Sequence, residues 1–93
     1  ASKSSVQTGS YAGTGSSTLD LDLPIEPKAL ILAGSYQAPL VITGVGDYYC
    51  IYDNVSGESV DVTEFGKHVS LEGGNTHSAY NESGSTYFWT ALY

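Results

Sequence analysis

The sequence predicts an all-β chain, an antiparallel β-sandwich of jelly-roll-like kind with about eight or nine short strands. Three observations point there. The 93 residues include 11 Gly and 8 Tyr, no Met and only 14% charged side chains, a composition that favours strands and turns over helices. Apolar residues alternate with polar ones in several short runs, and no window carries a helical period. Turn signals built on Gly, Pro, Asn and Ser recur roughly every ten residues, the rhythm of a sandwich.

Residues 1 to 5 are small and polar and read as a flexible lead-in to a single domain over residues 6 to 93. The first strand is expected over Val6 to Ala12, ending in the turn-rich "GTGSS". "TLDLDLP" follows with Leu19, Leu21 and Leu23 on one face and Asp20 and Asp22 on the other, one side core and one side water. Pro24 and Pro27 bar the next corner from central ladder positions, and "KALILAG" is apolar on both faces, as an interior strand is. "PLVITGVG" and "DYYCIYD" read as two strands joined at the glycines, a plausible hairpin, with Tyr48, Cys50 and Tyr52 opposite Tyr49 and Ile51. "DNVSGES" is a turn; "VDVTEF" and "GKHVSLEGGN" are strands with Val60, Val62, Val69 and Leu71 inward. A short strand near "HSAY" and the terminal "TYFWTAL" complete the set.

Three Lys against ten Asp and Glu leave a net charge of -7, which repels nucleic-acid phosphates and acidic membrane surfaces. No stretch approaches the ~18 apolar residues of a membrane span, and the start lacks a signal-peptide layout, so a soluble chain without membrane insertion is expected. Cys50 is alone and can make no intrachain disulfide; inside "YYCIYD" it reads as a small buried hydrophobe.

Enzyme chemistry is poorly supplied. No G-x-S-x-G elbow occurs, and "GVGDYY" lacks the third glycine and the helix of a dinucleotide fingerprint. Asp20 and Asp22, ~7 Å apart on one strand face, match an inverting glycosidase pair in spacing, yet nothing nearby raises the pKa of either, which favours a solvated sheet face. Asp53, Asn54 and Glu58 share a turn that could offer oxygens to calcium, though the spacing is not that of a calcium loop and an Asx-turn is the plainer reading. His68 and His77 lack zinc-site spacing and read as surface or interface histidines. "NVS" at Asn54 and "NES" at Asn81 match the glycosylation sequon. No metal and no cofactor is expected.

Tyrosine is over-supplied for one core, and its apolar body with a polar tip suits sugar stacking and protein interfaces. At the C-terminus Tyr87, Trp89, Ala91 and Tyr93 share one strand face and Phe88, Thr90 and Leu92 the other. Both faces call for burial, whereas a two-layer sandwich covers only one. The second must meet another subunit, a ligand or a preceding domain.

The segment "TGSYAGTGSSTLDLDLPIEPKALILAG" and the ending "NESGSTYFWTALY" resemble a recurrent pattern in the C-terminal domains of bacteriophage and prophage tail proteins. The matching positions are Gly9, Tyr11, Gly13, Pro27, Lys28 and Gly34, then Asn81, Gly84, Tyr87, Trp89 and Ala91. Pro24 and Ile25 stand where the family often has a Gly-aromatic pair. The resemblance implies a non-enzymatic tip domain of a tail fibre, a homotrimer on the outside of the virion that contacts a host-surface glycan or protein receptor and other virion proteins. A chain starting at Ala1 with no stalk fits an isolated tip. In that setting Tyr36, Tyr48, Tyr49, Tyr52, Asp53, Asn54 and His77 are the ligand-binding candidates, and Tyr87, Trp89 and Tyr93 are the candidates for the subunit interface. Two rivals are a structural virion protein, such as a capsid decoration or head fibre, and a free-standing carbohydrate-binding module.

Overall fold

The computed structural model describes residues 6–34, 37–52 and 56–93. They form eight strands and, among the described residues, no helix: β1 (Val6–Ala12), β2 (Thr18–Asp22), β3 (Ala29–Ala33), β4 (Leu40–Ile42), β5 (Gly46–Tyr52), β6 (Ser56–Glu64), β7 (His68–Gly73) and β8 (Thr86–Leu92). Sheet I has the order β1-β8-β3-β4 and sheet II the order β2-β7-β6-β5, with every pairing antiparallel. The all-β sandwich read from the sequence is the fold. The expected lead-in over residues 1 to 5 lies outside the described residues.

The outermost strands nest, β1 on β8 in one sheet and β2 on β7 in the other, as in a rolled ribbon. The inner strands pair locally, β3 with β4 in sheet I and β5-β6-β7 as a meander in sheet II. The hairpin expected between β4 and β5 is therefore replaced by a crossing from sheet I to sheet II. Burial explains this: Leu40 and Ile42 must face the core from one side, and Cys50 from the other. Tyr48 closes the crossing, its hydroxyl accepting from the amides of Thr43 (3.1 Å) and Gly44 (3.2 Å) and donating to the Gly44 carbonyl (2.8 Å).

The core follows the alternation. Leu19, Leu21 and Leu23 from one sheet meet Leu30, Leu32 and Ile42 from the other, with Val60, Val62, Val69 and Leu71 completing it; each such burial stabilises by roughly 1.5–3 kcal/mol relative to exposure. The aromatic C-terminal strand is not an edge: β8 lies between β1 and β3, and the Leu92 carbonyl accepts from the Lys28 amide at 2.7 Å. Tyr87 and Ala91 are wholly buried on its inner face, while Phe88, on its outer face, is 58% exposed.

The expected strand at "HSAY" is a tight turn instead, and its caps explain why. The Asn75 side chain accepts from the Ser78 amide (3.0 Å) while the Ser78 hydroxyl accepts from the Asn75 amide (3.1 Å), a reciprocal N-terminal cap. At the other end the Asn81 amide reaches the Thr76 carbonyl (2.9 Å) and the Tyr80 amide the His77 carbonyl (3.1 Å), the paired closure of a Schellman motif. Tyr80 occupies the left-handed position with φ 55°, a conformation costing a bulky residue about 1–3 kcal/mol. It is held there by full burial, by its hydroxyl donating to the Ala38 carbonyl (2.5 Å), and by its carbonyl accepting from the Tyr11 hydroxyl (2.8 Å).

Several of the residues that carry the sequence resemblance, Gly9 with Trp89 and Gly34 and Tyr11 with Tyr87, touch one another across the fold. The Trp89 ring lies on Gly9, where a Cβ would come within 2.5 Å of it, and the Tyr87 ring lies on Gly34 at the same distance; only glycine leaves room for either ring. Tyr11 stacks on Tyr87 with ring centroids 5.3 Å apart. The Asn81 side chain accepts from the Thr14 amide (2.9 Å) and donates to Thr14 Oγ1 (2.7 Å) and the Thr18 carbonyl (2.9 Å), pinning the β1–β2 loop. Its amide nitrogen is thus occupied and buried, which closes the sequon at Asn81 to a sugar. These residues build the sandwich.

Candidate functional site at the loop end

Antiparallel order sends the β1–β2, β3–β4, β5–β6 and β7–β8 connections to one end of the sandwich. The β2–β3, β4–β5 and β6–β7 connections, with Val6 and Tyr93, lie at the other. A polar cluster sits at the first end. Alternation from Val60 and Val62 points Glu58 inward, opposite Cys50 in the β5–β6 register, so a carboxylate stands on the core side of sheet II near its rim. Asn75 donates to Glu58 Oε2 and to the Tyr52 hydroxyl (3.3 Å), and that hydroxyl donates to Glu58 Oε2 (3.4 Å).

The capped turn after β7 then lays His77 on Tyr52, ring centroids 5.0 Å apart and planes 20° from parallel. His77 Nδ1 lies 2.6 Å from Glu82 Oε2, an ion-pair distance, with the atoms out of line for a hydrogen bond. The Glu82 amide donates to the Tyr87 hydroxyl (3.0 Å), which also accepts from Gln37 Nε2 (3.3 Å), and Gln37 bridges the backbone of Tyr52. Contacts thus close a ring through Tyr52, His77, Glu82, Tyr87 and Gln37. Gln37 is 6% exposed, and its Oε1 has no partner among the described residues.

Acceptors outnumber donors in this ring. With Glu58 and Asn75 beside it on Tyr52, it holds two carboxylates of about four lone-pair sites each and two amide oxygens, against the donors of Gln37, Asn75, Tyr52, Tyr87 and His77. The excess suits a ligand that brings hydroxyl donors, and the stacked Tyr52–His77 pair offers it an apolar surface. Burial pushes the Cys50 thiol up, so it stays protonated and packs, donating weakly to the His77 carbonyl (3.6 Å). Burial likewise raises the Tyr11 and Tyr80 phenols well above the ordinary tyrosine value, keeping both as donors beneath the ring. Among the described residues no cluster of three His, Cys, Asp or Glu could hold a metal ion.

Of the ligand candidates named from sequence, the structure brings Tyr52 and His77 together. Tyr48 is at the opposite end, closing the β4–β5 turn. Tyr49 points outward from sheet II, 63% exposed, its ring against Gly57. Tyr36, Asp53 and Asn54 lie outside the described residues, and with them most of the calcium turn. Of the interface candidates, Tyr87 is enclosed in the chain's own core and has no surface to give a second subunit. Trp89 and Tyr93 pack half-buried against that core. Gln37, Asn75 and Glu82 are brought together only by the fold, and Glu58, in a stretch that reads as a turn, lies in β6. The signal for Glu58 was present: it stands two residues before Val60 on the inward phase.

Asp20 and Asp22 do share a solvated face, with His68 between them: Nδ1 is 2.8 Å from Asp22 and Nε2 3.2 Å from Asp20, which also accepts from the Ser70 hydroxyl (2.6 Å). Both imidazole nitrogens are used, and the carboxylates serve a structural triad on the β2–β7 register. No protein-family model, no curated protein and no solved structure matches this chain.

Proposed function

We propose that this chain is a non-enzymatic binding and assembly domain of the phage tail-fibre or tail-tip kind, homo-oligomeric at the virion surface, whose loop end takes a neutral host-surface glycan. The observation that carries the reading is the division of the sandwich into two ends. Val6 and Tyr93 lie at one, so a stalk joined there would present the other outward. At that other end stand the stacked Tyr52–His77 pair and the acceptor-rich Glu58, Asn75 and Glu82. Sugar hydroxyls would donate to the carboxylates while a sugar face stacks on the aromatic pair. The negative charge disfavours phosphate-rich ligands. The sequence resemblance to phage tail C-terminal domains supports the setting. Among the described residues no nucleophile, base and orienter meet in the ring, which favours binding over catalysis.

A glycan array and a host-cell binding assay test this with Tyr52→Ala and Glu58→Gln beside the wild type. Loss of binding in both, with the thermal transition retained, is the expected result; unchanged binding in both would remove the loop end as the site. Sedimentation gives the assembly state, where a clean monomer would count against a fibre tip. The uncharged outer face of sheet I favours, as a second reading, a structural virion protein such as a capsid decoration, for which glycan binding would be absent and assembly retained.

A further inference from the structure

The outer faces of the two sheets differ in charge, and the difference selects a partner. Register places Val6, Leu92 and Ala29 in one outward row of sheet I, Thr8, Thr90, Ile31 and Val41 in the next, and Ser10, Phe88 and Ala33 in the third. None is charged, and Val6, Val41 and Phe88 are each more than half exposed. On the outer face of sheet II the same bookkeeping gives Asp20, Asp22, Asp47, Asp61, Glu64 and Glu72, six of the ten carboxylates of the chain.

We infer that the outer face of sheet I packs on another copy of this chain. Two copies of net charge -7 repel, and joining through sheet I sets the six-carboxylate faces on opposite outsides of the pair, as far apart as the fold allows. A basic partner would be drawn to sheet II instead, leaving sheet I without electrostatic reason to bind anything but an uncharged apolar face like its own. Sheet faces pack at about 10 Å with apolar rows interdigitating, which rows of Val, Ile, Phe and Leu between small Ala, Ser and Thr permit. Strands of 7, 7, 5 and 3 residues, at ~4.8 Å between strands and ~3.3 Å per residue, give roughly 350 Å² per copy, below the ~1,200 Å² total of a stable interface, so the association is weak and concentration-dependent. The inference moves the contact from Tyr87, Trp89 and Tyr93 to Val41, Phe88 and their neighbours, and it stands apart from what the loop end binds.

Sedimentation equilibrium of the full chain tests it over about 10 to 500 µM, the range for an interface this small. The wild type is expected to gain mass with concentration and more steeply at high salt, which screens the net charge and strengthens apolar contact. Phe88→Glu, whose side chain is exposed in the monomer, is expected to weaken association at least about a hundredfold by burying an unpaired carboxylate in each copy. Val41→Glu on the edge strand is expected to do the same, and it serves if Phe88→Glu does not fold. A wild type that stays monomeric throughout overturns the inference, as does association that weakens with salt, or that survives both substitutions in folded protein. A dimer would support this face while counting against a trimeric fibre tip.

Discussion

Sheet I and sheet II bury equivalent inner faces and present opposite outer ones. The inner rows are interchangeable in kind: Ala91, Leu30 and Ile42 from one sheet, Leu19, Leu71 and Val62 from the other. Outside, sheet I has no charge, whereas sheet II runs Asp47, Asp61 and Glu72 side by side across three strands. Like charges directly opposed on a ladder destabilise it. Folding alone does not require that arrangement, so the acidic face carries a cost in stability that the neutral outer face of sheet I does not. Solvation and stability are thus distributed by face, and two adjacent residues of one strand can differ entirely in what they do.

The largest expected effect separates such neighbours. Tyr87→Ala removes a ring stacked on Tyr11 and the hydroxyl that joins Gln37 to Glu82, and should lower unfolding free energy by about 3–5 kcal/mol in urea titration. Phe88→Ala, one residue on and facing outward, should cost less than about 1 kcal/mol in monomeric protein. Equal losses would mean that the two faces of β8 are not distinguished as described. On the acidic side, Asp61→Asn removes the middle charge of the row and should raise stability by about 0.2–1 kcal/mol at low salt. The gain should shrink as ionic strength rises; a loss of stability would show that Asp61 has a partner that offsets its neighbours.

The smallest effect concerns His68. Its hydrogen bonds to Asp22 and Asp20 raise it above the ordinary value of 6.5, and bonds from Ser70 and His68 lower Asp20 below 3.8. A raised histidine gives stability that is complete below 6.5 and lost as pH climbs through the raised value. A lowered Asp20 gives stability that is complete above 3.8 and lost as pH falls through the lowered value. The triad therefore contributes fully between about pH 4 and 6.5. Thermal midpoints should ease downward above that window in the wild type, and His68→Gln should flatten the upper limb while only weakening the lower one, where the Ser70 bond to Asp20 remains. Because the triad is solvent-exposed, the amplitude should be small.

Strand positions were largely legible, because alternation is a local property: "TLDLDLP", "VDVTEF" and "HVSLEG" each declare an inward phase without reference to the rest of the chain. The turn at residues 76–80 was misread because its stop signals are Asn and Ser side chains bonding locally, which compete with a strand pattern four residues long. That Tyr48 closes a turn at the end away from the ring is not legible in the sequence, because a phenol closing a turn and a phenol awaiting a sugar look alike there. Of the ring, Tyr52, His77 and Tyr87 stand out in the sequence, the first two as ligand candidates and Tyr87 as an interface candidate; Gln37 and Glu82, with Asn75 beside them, do not, since their positions depend on loops brought together from far along the chain.

The amino-acid order by itself determined that the chain is all-β, that its core comes from alternating Leu and Val, and that its net charge repels phosphate. The tertiary structure decided which aromatics are core and which are surface. Phe88 is the more apolar of the two side chains, yet Tyr87 is the one buried, and nothing local tells which side of β8 meets sheet II. That choice follows from register with β1 and β3, where Gly9 and Gly34 make room for Trp89 and Tyr87 on one side only. A one-residue slip would exchange the two faces, and long-range pairing excludes it.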